Sequence, residues 1–136
     1  MNDEKIKVVL VEPGKLARVT EIGTELEDLQ KTVQGLIEAY YPFEEEVCIV
    51  CNEESKYNGM ILNRAVYDPD SKEMMDIIAG PFFICDCSGE EFGSLSEEQQ
   101  KRYVEQFKYP EHFVRFGSTI EAVKYEPKAM NEREER

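Results

Sequence analysis

The pattern of apolar and polar positions in the first forty residues predicts a β-hairpin followed by a helix. Residues 6–11 are almost continuously apolar, residues 12–14 carry the Pro-Gly signal of a turn, and residues 16–22 alternate well enough to form the partner strand. Residues 24–34 then place their apolar side chains at helical spacing. The N-terminal part of the chain therefore combines a hairpin with a helix whose apolar face is expected to pack on a sheet.

The predicted helix at residues 24–34 has signals at both ends. Thr24 is a candidate N-cap, and Glu27 lies three residues later, as a capping box requires. Gly35 is predicted to end the helix, because a left-handed backbone conformation costs glycine little. The apolar face consists of Leu26, Leu29 and Val33.

The apolar runs that follow predict the sheet. Residues 36–41 and 47–51 are joined by the acidic residues 44–46, which suits adjacent antiparallel strands with a solvated loop. The Asn58-Gly59 pair predicts a tight hairpin turn before the next strand. Residues 82–87 follow a Gly-Pro pair and form another apolar run. We interpret this last run as a buried strand.

The C-terminal third predicts a second helix. Ser96 can cap it, Gln99 completes the capping box, and Pro110 sets its end. Residues 113–116 suggest a short edge strand, whereas residues 126–136 are so polar that we expect a disordered tail. The apolar stripe of this helix consists of Tyr103, Val104 and Phe107.

Together these elements predict one α+β domain over residues 1–125. Its sheet is mostly antiparallel, with one helix after the first hairpin and a second helix near the C-terminus. With 136 residues, the chain is long enough to bury about two-thirds of the surface that its unfolded form exposes.

Charge narrows the classes of partner. The 29 acidic residues against 16 basic ones give a net charge of -13, which repels the phosphates of nucleic acids and anionic lipids. No apolar stretch approaches the length of a membrane span, and the first five residues lack the apolar core of a signal peptide. We therefore expect a cytoplasmic protein that binds neither nucleic acid nor membrane.

The four cysteines fit a cytoplasmic protein better than a metal site. Cys48 and Cys51 lie three residues apart in one strand, so they should point to opposite faces unless the chain turns between them. Cys85 and Cys87 share a face but make only half of a zinc site. We interpret all four as small buried apolar residues and predict no metal and no cofactor, while structural zinc and a redox pair remain alternatives.

An enzyme is not expected. His112 is the one histidine, and the cysteines that it might serve lie in apolar or acidic surroundings that do not favour a reactive thiolate. With 29 acidic residues, neighbouring carboxylates carry little information. We predict no catalytic residue.

Short motifs spread along the chain resemble those of a known bacterial family. They occupy residues 29–30, 33–35, 37–38, 52–53, 62–65, 77–81 and 96–99. Residues 5–110 look like the family catalogued as domain of unknown function 3846. The resemblance implies similarity to small cargo proteins of conjugative elements and phages in gut-dwelling bacteria, with no established activity and no catalytic residue.

Six polar residues are the candidate binding residues. The Asn52-Glu53 and Asn63-Arg64 pairs flank the predicted turn and match motifs of the family, so they are expected to meet at one edge of the sheet. There the arginine could clamp a carboxylate or a phosphate. The alternative is structural: the asparagines serve turns and backbone groups, and Arg64 pairs with Glu53. The remaining two candidates are Gln30 and Glu38.

Two functions remain open at this point. The first is a small, non-catalytic binding or regulatory module of a mobile element or phage, whose partner is another protein and whose exposed strands permit a homodimer. The second is an acidic mimic of nucleic acid that occupies a DNA-binding enzyme. Mimicry requires the acidic residues 44–46, 53–54, 90–91 and 97–98 to share one continuous face.

Overall fold

The computed structural model describes residues 4–127 and contains two helices and nine strands in that range. None of the described helices has the length and apolar character needed to cross a membrane. In chain order the elements are β1 (Lys5–Val11), β2 (Arg18–Gly23), α1 (Leu26–Val33), β3 (Ile37–Tyr40), β4 (Val47–Asn52), β5 (Leu62–Tyr67), β6 (Met74–Ala79), β7 (Phe82–Asp86), α2 (Glu97–Gln106), β8 (Glu111–Phe116) and β9 (Thr119–Lys124).

A five-stranded antiparallel sheet in the order β2-β1-β7-β4-β3 forms the centre of the fold. Strand β7 lies in the middle, where Val9 and Ile49 on its two neighbours both pair with Ile84. Because its backbone is paired on both sides and its faces are covered, residues 82–85 are fully buried. The predicted α+β fold with a mostly antiparallel sheet is confirmed.

Alternation along the strands divides the core into two clusters on opposite faces of this sheet. On one face, Val8 and Phe83 pack with Leu29 and Val33 of α1. On the other face, Val9 and other strand residues pack with α2 and with the separate β5–β6 hairpin. The second cluster includes Ile49, Cys51, Val66, Ile78, Phe82, Tyr103 and Phe107. The fold therefore has three layers, with the five-stranded sheet in the middle.

The predicted ends of α1 are wrong. Glu25 is the N-cap residue in place of Thr24, and its carbonyl accepts a hydrogen bond from the Asp28 N–H (2.9 Å). At the other end, Gln34 adopts the left-handed conformation (φ 67) that was assigned to Gly35. Gly35 is not needed for its backbone freedom but for a close approach, because a Cβ at residue 35 would lie 2.5 Å from Nδ2 of Asn52.

The capping box predicted for α2 is confirmed. The Gln99 N–H donates to Oγ of Ser96 at 3.1 Å, and the Ser96 N–H donates to Oε1 of Gln99 at 2.9 Å. This reciprocal pair satisfies two backbone donors that the first helical turn leaves without partners. The local sequence is therefore sufficient to start this helix.

Two hairpins differ from the prediction. Asn58 and Gly59 lie in an irregular turn, where the Asn58 N–H donates to the carbonyl of Glu54 at 2.9 Å, and no strand of the described residues pairs across them. The hairpin forms later instead, between β5 and β6. The predicted edge strand at residues 113–116 is one arm of the β8–β9 hairpin, and Gly117 (φ 62) opens its loop.

The predicted single domain over residues 1–125 and the predicted disordered tail remain predictions. From residue 128 onward, the tail lies outside the described residues.

Glu45 connects the loop between β3 and β4 to helix α2. The Tyr103 hydroxyl and the Arg102 guanidinium donate to its Oε2, and Nε2 of Gln99 donates to Oε1 at 3.1 Å. These bonds favour the ionised carboxylate, so its pKa lies below the ordinary value, with the Tyr103 bond as the largest cause.

This contact should contribute to stability in a pH-dependent way. Because the folded-state pKa of Glu45 is lowered, its contribution is present above the unfolded-state pKa and disappears as the pH falls through the folded-state pKa. We expect Glu45→Gln to flatten the acid limb of stability, measured by urea unfolding from neutral to acidic pH. Glu44→Gln, at the exposed neighbouring residue, is the control. Identical acid limbs for Glu45→Gln and the unmodified protein would contradict this expectation.

Candidate functional site

An open cleft of ≈ 460 Å³ lies between the edge of the five-stranded sheet and strand β6, and we call it the β3–β6 cleft. Glu38 and Tyr40 of β3 line one side, and residues 76–79 of β6 line the other. Glu53 and residues 55–57, which follow β4, complete the wall. Because Glu38 pairs with Cys51 across the strands, both side chains face the layer that contains β6.

The charges around the cleft are mainly negative. Glu38, Glu53 and Asp76 contribute carboxylates, and Lys56 contributes one ammonium group. Nζ of Lys56 lies 2.8 Å from Oδ1 of Asp76, and both side chains are substantially exposed. Such exposed ion pairs are worth little in stability, so the pair can open when a ligand competes for either group.

The thiol and the phenol in the cleft are neutral at physiological pH. Burial is the largest cause that raises the pKa of Cys51, to about 11, and the Glu38 carboxylate raises it further. Burial and then Asp76 raise the pKa of Tyr40. Sγ of Cys51 donates to the carbonyl of Glu38 at 3.7 Å. A protonated, buried thiol is a poor nucleophile.

Asn52 closes the C-terminal end of α1 from a neighbouring strand. Its Nδ2 donates to the carbonyls of Val33 and Gln34, both at 3.1 Å, and its Oδ1 accepts from the Glu54 N–H at 2.7 Å. The residue is only 4% exposed. Asn52 therefore satisfies helix carbonyls that have no partner within the helix, and it supports the cleft wall from inside.

Asn63 and Arg64 form a buried network at another place in the fold. Nδ2 of Asn63 donates to the carbonyls of Val11 (3.0 Å) and Gly80 (2.8 Å), and its Oδ1 accepts from Nη1 of Arg64 at 2.8 Å. Nε of Arg64 donates to the carbonyl of Phe107 (3.0 Å). The guanidinium therefore ties β5 to the end of α2.

A further bond extends this network. Nη2 of Arg64 donates to the carbonyl of Lys15 at 2.7 Å, which holds the loop between β1 and β2. Arg64 is completely buried, and this burial lowers its pKa to about 10, although Glu111 opposes the shift. A side chain in this position cannot clamp a ligand in solvent.

The six predicted binding residues therefore do not meet at one edge. Glu38, Asn52 and Glu53 line the β3–β6 cleft, whereas Asn63 and Arg64 belong to the buried network. Gln30 lies on α1, on the opposite face of the sheet, and its carbonyl accepts from the Gly35 N–H at 2.9 Å. The structural alternative is confirmed for the two asparagines, which bond to backbone groups. Its ion pair is wrong, because none of the ion pairs among the described residues joins Arg64 to Glu53.

Comparison with known proteins gives one family. The chain matches the family described as Domain of unknown function (DUF3846) over residues 6–108. This chain belongs to that family. No curated protein and no solved structure shows significant similarity to it. The DUF3846 match extends from β1 through α2 and stops before the β8–β9 hairpin.

The cysteines of this DUF3846 protein follow the predicted alternation. Cys48 belongs to the cluster beneath α1, and Cys51 belongs to the cluster on the opposite face. Sequence reasoning missed one neighbour, because Cys48 pairs directly with Cys85 and their sulfur atoms lie 3.9 Å apart. Strand order decides this contact, and no sequence spacing indicates it.

Sequence reasoning also missed three residues of the cleft. Lys56 and Tyr57 follow β4 in a segment whose residues predict only a turn, and Asp76 lies in β6. Tyr57 is 92% exposed, which is unusual for so large a ring. A tyrosine inside a run of polar turn residues was the available signal.

Proposed function

We propose that this DUF3846 protein is a small, non-catalytic binding module of a bacterial mobile element or phage. It acts in the cytoplasm and takes a basic segment of another protein into the β3–β6 cleft. The observation that carries the proposal is the cleft itself, in which three carboxylates face one lysine beside an exposed tyrosine.

The electrostatics of the cleft favour a cationic ligand. Glu38 and Glu53 have no cation opposite them in the described ion pairs, and the net charge of -13 attracts basic surfaces from a distance. An arginine or lysine side chain that enters the cleft can replace Lys56 as the partner of Asp76. The exposed ring of Tyr57 offers a face for a cation–π contact.

The settings of the Cys51 thiol and the His112 ring support a role without covalent chemistry. The Cys51 thiol is protonated at neutral pH because burial raises its pKa. His112 stacks on Tyr125, with ring centroids 4.0 Å apart, in the β8–β9 region. A protonated thiol and an imidazole stacked on a tyrosine ring in another part of the fold do not form the activated thiol–base pair that nucleophilic catalysis by a cysteine needs.

The alternative of an acidic nucleic-acid mimic is less well supported. Residues 44–46, 90–91 and 97–98 cluster at the end of the sheet where β7 ends, and the Cys87 N–H donates to the carbonyl of Glu46 at 3.0 Å. Residues 53–54 follow β4 at the opposite end. The four acidic runs therefore do not share one continuous face, which mimicry requires.

The proposal is tested by affinity capture from the host cytoplasm with the tagged full-length chain. We expect a captured protein that contacts the cleft through basic residues. Its binding, measured by isothermal titration calorimetry, should weaken by about tenfold or more in the Glu38→Lys/Glu53→Lys variant, because two attractive charges become repulsive. Higher salt should weaken the binding of the unmodified protein in the same direction.

The matched control is Glu97→Lys/Glu105→Lys, which makes the same change in net charge on helix α2, away from the residues that line the cleft. This control should bind within about threefold of the unmodified protein, because distant exposed charges are largely screened. Equal losses in both variants would mean that net charge alone attracts the partner. That result would overturn the assignment of the cleft.

A further inference from the structure

Strand β3 is an edge strand that borders the β3–β6 cleft. It ends the sheet order β2-β1-β7-β4-β3, and within residues 4–127 it pairs with β4 alone. An edge of this kind can accept a strand from another chain, because its outward backbone groups are not used by the sheet. The cleft therefore offers a ligand a backbone edge in addition to its charged side chains.

The register determines which backbone groups lie along this edge. The Glu53 N–H donates to the carbonyl of Leu36 at 2.8 Å, so these two residues extend the β3–β4 ladder as a hydrogen-bonded pair. Hydrogen-bonded and non-hydrogen-bonded pairs alternate along antiparallel strands, so Glu38 also directs its backbone groups toward β4. Ile37 and Ala39 consequently direct their N–H and C=O groups away from β4. An added strand would bond to these two residues.

The two faces of β3 differ in their chemistry. Glu38 faces the cleft, where Glu53 and Asp76 contribute two more carboxylates. Ile37 and Ala39 lie on the opposite face, where they are partly exposed and pack against the cluster beneath α1. Directly opposed residues of neighbouring strands share a face of the sheet. An added strand would therefore place alternate side chains in the acidic cleft and the others beside apolar side chains.

We propose that the basic segment bound by the cleft is an extended strand that pairs with β3 in the antiparallel direction and alternates basic with apolar residues. Its basic residues enter the cleft opposite Glu38 and Tyr40, and its apolar residues lie opposite Ile37 and Ala39. This inference rests on the proposed function, because the cleft must accept a basic ligand. It adds the conformation and the residue pattern of that ligand.

Charge favours this occupant over a second copy of the chain. A lysine or arginine opposite Glu38 forms a cross-strand pair of opposite charge, in the closer, non-hydrogen-bonded type of pair. A second basic residue, two positions along the segment, lies opposite Tyr40 and close to the Asp76 carboxylate, which lines the same cleft. A copy of this chain, with its net charge of -13, is repelled from the same edge.

Two synthetic octapeptides of identical composition test the residue pattern. One alternates four lysines with four valines, and the other carries the four lysines in one block and the four valines in the next. We expect the alternating peptide to bind the full-length protein about tenfold more tightly, because it alone presents all its lysines to one face of β3. Fluorescence anisotropy of the labelled peptides measures both affinities. Equal affinities would overturn the proposed pattern.

Backbone N-methylation of the alternating peptide tests the strand pairing. In the antiparallel arrangement the valine N–H groups donate to β3, and the lysine N–H groups point away from it. Methylating the valine nitrogens should weaken binding by about tenfold or more, whereas methylating the lysine nitrogens should change it by less than about threefold. Equal effects of the two modifications, or a loss confined to the lysine-methylated peptide, would overturn the antiparallel pairing with β3.

The Glu38→Lys/Glu53→Lys variant separates this inference from the proposed function. We expect the alternating peptide to bind this variant about tenfold or more weakly and to keep its affinity for the control Glu97→Lys/Glu105→Lys. If both octapeptides bind the unmodified protein equally and both lose affinity for the cleft variant, the cleft accepts basic ligands but not as a strand. If neither peptide loses affinity for the cleft variant, the proposed function fails, and the strand pairing is overturned with it.

Discussion

Replacing Arg64 with alanine is expected to lower the free energy of unfolding by about 3–5 kcal/mol. The substitution removes the donors that serve the carbonyls of Lys15 and Phe107 and Oδ1 of Asn63. It also removes one of the two cations near the partly buried carboxylate of Glu111, the other being Lys124. Polar groups that lose their partners inside a protein cost more than the net value of the bonds themselves.

Urea denaturation measures this loss, with Arg115→Ala as the matched control. Arg115 carries the same charge on the exposed β8 strand, so its removal should change the free energy of unfolding by less than about 0.5 kcal/mol. Arg64→Lys should also be strongly destabilising, because an ammonium group cannot reach three divergent acceptors as the planar guanidinium does. A loss below about 1 kcal/mol for Arg64→Ala would show that the network is not structural.

Gly35→Ala is expected to cost about 2–3 kcal/mol of unfolding free energy. The new Cβ would lie 2.5 Å from Nδ2 of Asn52, which must then move away from the carbonyls that it holds at the end of α1. Gly89→Ala is the control, because a Cβ there would meet only the carbonyl of Glu91 at an ordinary 4.0 Å.

A double-mutant cycle tests whether the Asn52 side chain causes this loss of stability. In the Asn52→Ala background the obstructing amide is absent, so adding Gly35→Ala should cost clearly less than it does in the unmodified protein. Both steps are measured by chemical denaturation. Additive losses would mean that residue 35 is glycine for a reason other than the approach of Asn52.

Local patterns were sufficient for most elements of the fold. Alternation and turn residues located the first hairpin, the strand that contains Ile84 and the start of α2 at Ser96, because each depends on neighbours close in sequence. The predicted end of α1 was wrong because this end depends on residues that are distant in sequence. Gly35 is glycine because Asn52 comes close to it from a different strand, and this contact depends on the tertiary fold.

The candidate site was only partly accessible to sequence reasoning. The predicted binding residues Glu38 and Glu53 do line the cleft. Asp76 lies there only because β6 covers that face of the sheet, which is a tertiary contact. Arg64 looked like a ligand-binding residue because arginine is rarely buried. Its position inside an apolar strand was the available sign that its partners are internal carbonyls.

The central place of β7 has a consequence for how the chain acquires its structure during synthesis. Strand β1 ends about 75 residues before the end of β7 at Asp86, and β4 ends about 35 residues before it. Both strands therefore leave the ribosome before the strand that pairs with them in the centre of the sheet. During this interval, apolar strands with unsatisfied edges are open to association with other nascent chains. Fragments truncated before Phe82 should therefore aggregate, and co-translational folding should begin only once that strand is available.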